Sequence, residues 1–174
     1  VTWIQTYTGK KFSLIDPQPE DIHLDDIIIS LCNLCRFNGH CCSFYSVAQH
    51  SLLVQLYSKD QRTGLAHDFP EAYYGDISSP LKMAFEQICG SRWTKILRRI
   101  DRVVADTLKY TYPIPQDVID ADLLMLATEK RDLMLTLSWP NKLPRPANFR
   151  IFPRSLKHVN HKFRGEVLEN FRNL

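Results

Sequence analysis

From Leu24 to Phe37, "LDDIIISLCNLCRF", the apolar residues Ile27, Leu31, Leu34 and Cys35 recur three and four positions apart, which predicts an amphipathic helix. Asp25 and Asp26 stand at its start, where the helix dipole favours negative charge. A second helix is predicted over "FYSVAQHSLLVQLYS", with Ser46 as N-cap and Val47, His50, Leu53 or Val54, and Tyr57 along one side. A third ends near "GLAHD". Pro70 would cost about 3 kcal/mol inside a helix, so the chain is expected to turn at Asp68 and Phe69 and to restart with Pro70 in the first helical position. Further helices are predicted over Leu81–Cys89, from a Ser91 cap to Tyr110, over Gln116–Leu137 behind Pro115, and from Ser155 to the end. Trp3 to Phe12 read as two short strands around a Thr-Gly turn. Residues 138–153 are too rich in proline to be regular. The pattern is that of an all-α helical bundle with a small N-terminal β-hairpin.

Length and composition narrow the picture without changing it. A chain of 174 residues is expected to form one domain, 1–174, and to bury roughly two-thirds of its unfolded surface. Hydrophobic residues make up 44% and charged residues 24%, so no segment has the bias of disorder. No apolar run approaches the ~18 residues of a membrane span, and the first residues lack the order of a signal peptide, so the cytoplasm is the expected location. Five irregularly spaced cysteines suit reduced thiols. A net charge of +3 mildly favours anionic partners.

The candidate chemistry centres on the adjacent pair His67–Asp68. Neighbouring helical residues diverge by about 100°, so both can serve one metal ion only if it lies between their directions and other helices complete its shell. His50, 17 positions earlier, would meet His67 if the two helices run up and down, and Asp122 is a fourth candidate. Each has a plainer explanation alone: a hydrogen-bonded core histidine, or an aspartate placed by a helix dipole.

"FYSVAQHS", "LAHDFPEAYYGDISSPLK" and "DADLLMLATEKRDL", in that order, resemble the His, His-Asp and Asp motifs of the HD-domain phosphohydrolases. Within that superfamily the chain is similar to the small 5'-deoxynucleotidase branch and its phage-associated dATP triphosphohydrolase relatives, from Trp3 to about Leu135. The resemblance implies an HD-domain helical bundle that is a metal-dependent enzyme cleaving phosphate from deoxynucleotides. It implies His50, His67, Asp68 and Asp122 as ligands, a mixed N/O shell suited to Mn, Co, Fe or Zn and also open to Mg. Glu71 would orient or deprotonate the attacking water, and Asp76 would assist the leaving oxygen or bind the sugar; otherwise each is a turn residue satisfying backbone N–H groups. Arg36, ending the first helix, would hold the substrate phosphate with Lys82 as a second contact, Phe37 would wall the sugar, and Pro80 would line the nucleoside pocket. Without substrate, Arg36 and Lys82 read as surface cations.

Two departures from the motif pattern concern the substrate. The His50–His67 connection is short for a nucleotidase, and Ile119 replaces a residue that is often basic. Deoxynucleoside monophosphate is the favoured substrate and deoxynucleoside triphosphate, cleaved to deoxynucleoside and triphosphate, the alternative. A homo-oligomer is expected, with a neighbouring subunit finishing a minimal pocket. Two further readings compete. "CNLC" with "HCC" could form a zinc knot, although burial of Cys32 and Cys35 in an apolar helix explains them as well. Arg150, Arg154, Lys157, Lys162 and Arg164 could track a nucleic-acid backbone, although such a run is more often a solvated helix face.

Overall fold

In the computed structural model, which describes residues 1–135, 139 and 142–172, the chain is mostly helical. Strands β1 (Trp3–Gln5) and β2 (Lys11–Ser13) form the expected antiparallel hairpin, with Ile4 opposite Phe12. Eight helices follow among the described residues: α1 (Leu24–Asn33), α2 (Val47–Tyr57), α3 (Gln61–Ala66), α4 (Glu71–Tyr74), α5 (Ser79–Cys89), α6 (Arg92–Leu108), α7 (Gln116–Leu133) and α8 (Leu156–Phe171). No described helix is long and apolar enough to cross a membrane. The expected helical residues 136 and 137, the last two residues of the chain, and positions 138, 140 and 141 of the proline-rich stretch lie outside the described residues.

Helix α2 lies at the centre, packed against α1, α3, α7 and α8, and this explains why its sequence has apolar or small residues almost all round. The largest core cluster joins Phe12, Ile27, Leu31, Val47, Leu65, Ile100, Val104 and Phe163. Phe12 stacks on Tyr73 with ring centroids 3.9 Å apart, tying the hairpin to α4. Phe69, fully buried, meets Tyr110, Phe163 and Phe171 at steep ring angles. Helix α5 differs: it buries no residue, and Leu81, Met83 and Ile88 are exposed.

Several boundaries differ from the sequence reading. Helix α1 stops at Asn33, so neither Cys35 nor Arg36 belongs to it. Its continuation is captured by backbone pairing across the loop: Val47 N–H donates to Leu34 O at 3.0 Å and Arg36 N–H to Tyr45 O at 2.9 Å. Helix α7 stops at Leu133, where the carbonyl accepts the Cys42 N–H at 2.9 Å and Asp132 takes the Ile151 N–H at 2.8 Å. Ser46 and Ser155 cap α2 and α8 with their side chains, but Ser91 makes no such bond to α6. The chain does turn beside His67–Asp68, with Pro70 at the N-cap of α4 instead of its first helical position.

Candidate metal centre

Helix α3 crosses very close to α2, and a glycine permits it. A Cβ on Gly64 would stand 2.6 Å from Ser58 Oγ and 3.1 Å from the Gln55 backbone. One turn on, His67 Nδ1 donates to the Gly64 carbonyl at 2.8 Å. The pairings Gln55–Gly64 and His50–His67 show the two helices running antiparallel, the up-down arrangement that the 17-residue spacing requires.

The ring nitrogens decide what the centre is. A carbonyl oxygen only accepts, so Nδ1 of neutral His67 carries the hydrogen and Nε2 keeps its lone pair. His50 Nδ1 is 2.7 Å from the Glu129 carboxylate, which fixes the same tautomer. The two Nε2 atoms face each other at 3.3 Å, as two lone pairs when His50 is neutral and as a lone pair and an N–H when it is protonated. Asp122 Oδ1 lies 3.1 Å from His50 Nε2, and Asp68 Oδ2 lies 3.2 Å from His67 Nε2 and 3.6 Å from His50 Nε2. A cation about 2.1 Å from two tetrahedral ligands separates them by about 3.4 Å, a separation close to these spacings. Among the described residues, His50, His67 and Asp122 are the group in which every ligand atom lies within 4.8 Å of the others and which could hold a metal ion. Asp68 adjoins them through its two histidine contacts.

Glu129, absent from the sequence reading, organises this centre. Its Oε1 accepts from His50 and from Tyr45 Oη at 2.9 Å, and its Oε2 accepts from Arg36 Nε at 3.2 Å and Nη2 at 3.1 Å. Burial pushes the Glu129 carboxyl up, but Arg36 and His50 outweigh it and hold the group below its ordinary value. For His50, burial and Arg36 push down while Glu129 and Asp122 push up, and the ring is raised to about 9. The surrounding carboxylates therefore favour positive charge on this ring, whether from a proton or a cation. Asp122 is drawn below the ordinary carboxylate range against the cost of burial, chiefly by the His50 hydrogen bond. Asp68 is drawn down likewise, chiefly by His67. Glu129 follows Asp122 by seven positions, two helical turns, so one face of α7 supplies both a candidate ligand atom and the carboxylate that orients His50; that spacing was the available signal.

Arg36 stands in a short turn, Arg36–Gly39, beyond α1, where Phe37 and Asn38 take φ of 57° and 52°. It is buried, and its charge is secured by Glu129 and Asp68 against burial. One arm, Nη1, is 3.7 Å from Asp68. The guanidinium sits 5.3 Å from the centre of the Phe37 ring, which in turn is 6.4 Å from Trp139.

A cavity of about 180 Å³ opens beside the centre. His67, Asp68, Glu71 and Lys82 line it, as do Tyr74, Asp101, Tyr110, Tyr112 and Ile114. Glu71 is buried and its Oε2 has no hydrogen-bond partner. Burial, with Asp68 and Asp76 nearby, raises its carboxyl well above the ordinary value. Burial raises Asp76 as well. Asp101, which the sequence reading missed, accepts from Tyr74 Oη at 3.0 Å, and burial raises its carboxyl to about 6. The structure brings His50, His67, Asp68, Asp122, Arg36, Glu71 and Lys82 to one region. Pro80 is exposed in the first turn of α5 and does not line this cavity.

The competing readings find less. Cys35 and Cys41 touch, with Sγ atoms 3.8 Å apart, but Cys32 is buried in the main core, and the described cysteines form no three-ligand group. In the basic run, Arg150 is paired with Asp132 and Arg164 with Asp25, each at 2.7 Å.

No family model matches the chain. It is 37% identical over 182 aligned positions to the uncharacterized protein YfdR of Escherichia coli, an alignment that covers 100% of this chain and 96% of YfdR. It is also 37% identical over 93 positions to an uncharacterized protein of Rhodobacter capsulatus, covering 47% of each. The end-to-end match to YfdR shows that the chain belongs to the YfdR family.

Proposed function

We propose that the chain is an HD-domain, metal-dependent phosphohydrolase that removes the 5'-phosphate of deoxynucleoside monophosphates. The observation that carries this reading is the pair of histidine Nε2 atoms held toward each other at 3.3 Å, each ring anchored through Nδ1 on Glu129 or the Gly64 carbonyl, with Asp68 and Asp122 beside them. With His50 neutral, four lone-pair donors converge and repel one another unless a cation joins them, so a metal ion competes here with a proton on His50 Nε2 held by Asp122. His50, His67, Asp122 and Asp68 would hold a divalent ion such as Mn, Co or Zn. When bound, the ion supplies charge stabilisation at a phosphoryl oxygen and makes water a better nucleophile.

The remaining groups serve hydrolysis of a phosphate ester. Arg36 is anchored through Nε and Nη2 on Glu129, which leaves Nη1 to donate to a phosphoryl oxygen. Hydrolysis adds water across the P–O5' bond. The water oxygen bonds to phosphorus, Glu71 Oε2 takes a water proton, and the departing O5' acquires a proton with Asp76 as the nearby acid. Burial and the lack of a partner fit Glu71 Oε2 to proton transfer. Lys82 adds a cation to the same cavity. An apolar face on α5, with Leu81, Met83 and Ile88 exposed, is available to a second copy if the enzyme is a homo-oligomer.

The test is product analysis. Chain stripped of metal and reloaded separately with Mn, Co and Zn is incubated with dAMP and with dATP. The reading expects deoxyadenosine and phosphate from dAMP. Deoxyadenosine and intact triphosphate from dATP, with dAMP untouched, would favour a triphosphohydrolase instead. No hydrolysis with any cation would sink both.

A further inference from the structure

The cavity beside the metal centre has a second character besides its phosphate-facing residues. Three tyrosines and an isoleucine line it: Tyr74, Tyr110, Tyr112 and Ile114. Its volume, about 180 Å³, is far above the roughly 10–15 Å³ that admits a single water and suits a ring system. Tyr110 is buried and packed edge-on against Phe69 at 6.3 Å, so that wall is rigid, whereas Tyr112 is only half-buried. Flat aromatic walls of this kind stack nucleobases without regard to sequence.

One polar group on that wall breaks the indifference. Asp101 has one carboxylate oxygen engaged by Tyr74 Oη at 3.0 Å, and its other oxygen has no partner among the described residues. Tyr74 thereby sets the orientation of the carboxylate. An ionised carboxylate only accepts hydrogen bonds. The exocyclic amino groups of adenine and cytosine donate, whereas thymine presents a carbonyl oxygen at the corresponding position. An acceptor facing an acceptor is repelled, so the same oxygen that welcomes an amino-bearing base disfavours thymine.

We propose that this cavity is the base subsite, and that Asp101 makes it selective for nucleobases carrying an exocyclic amino group. The inference rests on the deoxynucleotide reading and adds to it the residue that discriminates among bases. Lys82, on the same lining, is near enough to Asp101, Glu71 and Asp76 to act on all three carboxyls.

Free nucleosides test the subsite without catalysis. Equilibrium binding of deoxyadenosine, deoxycytidine and thymidine to the metal-loaded chain should show the two amino-bearing nucleosides binding about tenfold or more tightly than thymidine, the effect of one hydrogen bond to a charged group. In Asp101→Asn the amide oxygen still takes the Tyr74 hydrogen bond, and the amide N–H₂ can donate to thymine; the preference should shrink or reverse. Tyr112→Ala should weaken all three about fivefold or more and leave their ratio alone. Equal binding of the three by the unaltered chain, or a preference unmoved in Asp101→Asn, would overturn the proposal. Hydrolysis of deoxyribose 5-phosphate, which has no base, is read separately on the unaltered chain. Its failure would show only that the base is needed for turnover; failure of dAMP hydrolysis with every cation while base discrimination persists would remove the hydrolase reading and leave a nucleoside-binding subsite.

Discussion

Glu129→Gln removes a charge and little else by volume, and the structure says what must follow. Four donors converge on this carboxylate: His50 Nδ1 and Tyr45 Oη on one oxygen, Arg36 Nε and Nη2 on the other. An amide has one accepting oxygen, so in either orientation its N–H₂ faces donors. If the N–H₂ faces Arg36, the buried guanidinium loses its close partner and keeps only Asp68 at 3.7 Å. If it faces His50, Nδ1 must accept, the ring hydrogen moves to Nε2, and the ring loses the lone pair that would bind metal. Breaking a buried ion pair costs about 3–5 kcal/mol, and the residual Asp68 contact places this case near 3. For a chain of this size each kcal/mol lowers Tm by about 2–4 °C, so a drop of about 6–12 °C is expected. Affinity for Mn or Zn should fall about 10–100-fold. Thermal melts in chelator isolate the stability effect, and calorimetric titration of the metal isolates the ligand effect. A Tm within about 1 °C of the unaltered chain together with unchanged metal affinity would refute the role given to Glu129.

Four further outcomes follow from other contacts. Gly64→Ala places a Cβ 2.6 Å from Ser58 Oγ, about 0.8 Å inside ordinary contact; it should destabilise by about 1–3 kcal/mol and weaken metal binding by displacing His67, and chemical denaturation with metal titration checks both. Glu71→Gln should keep the ion and bind substrate while slowing turnover about 10²–10⁴-fold; near-normal kcat would return it to a turn residue. Arg36→Lys keeps the charge but not the fork, so KM should rise about tenfold or more with a smaller change in kcat, and unaltered kinetics would place Arg36 outside the site. Asp132 is held down at about 2, first by Arg131 and then, against burial, by the Ile151 N–H and Arg150. Its folded value lies below the unfolded one of about 3.9, so its stabilisation is complete above about pH 4 and is lost as pH falls through about 2. Asp132→Asn should cost about 1–2 kcal/mol near neutral pH, a deficit that shrinks to a small fraction in denaturation curves at about pH 2.

The helices and the hairpin were legible because their signals are local: an apolar period, a Ser46 that caps α2, a Pro70 that forces a turn. Helix ends were read less well, since Leu34–Val47 pairing and the Cys42–Leu133 bond come from distant chain and leave no local mark. The same division runs through the site. His67 and Asp68 are adjacent and His50 is one helical connection away, so the sequence could place them together. Glu129 and Tyr45 are 84 residues apart and Tyr74 and Asp101 are 27 apart, and only the fold makes them partners. Gly64 carries no local mark of its role, since only the approach of α2 gives its missing side chain a meaning. Arg36 was identified, but in the wrong setting: it is not the solvated end of α1 but a buried cation on a turn, locked to α7.

The most direct test of the account is the count of ions per chain. Protein stripped with chelator, dialysed against Mn, Co or Zn and analysed for bound metal should hold one ion per chain. That ion should be lost when any one of His50, His67, Asp68 or Asp122 is replaced by Ala, with circular dichroism still reporting helix. Absence of bound metal in the unaltered chain, or full occupancy retained in His67→Ala and Asp122→Ala, would contradict it.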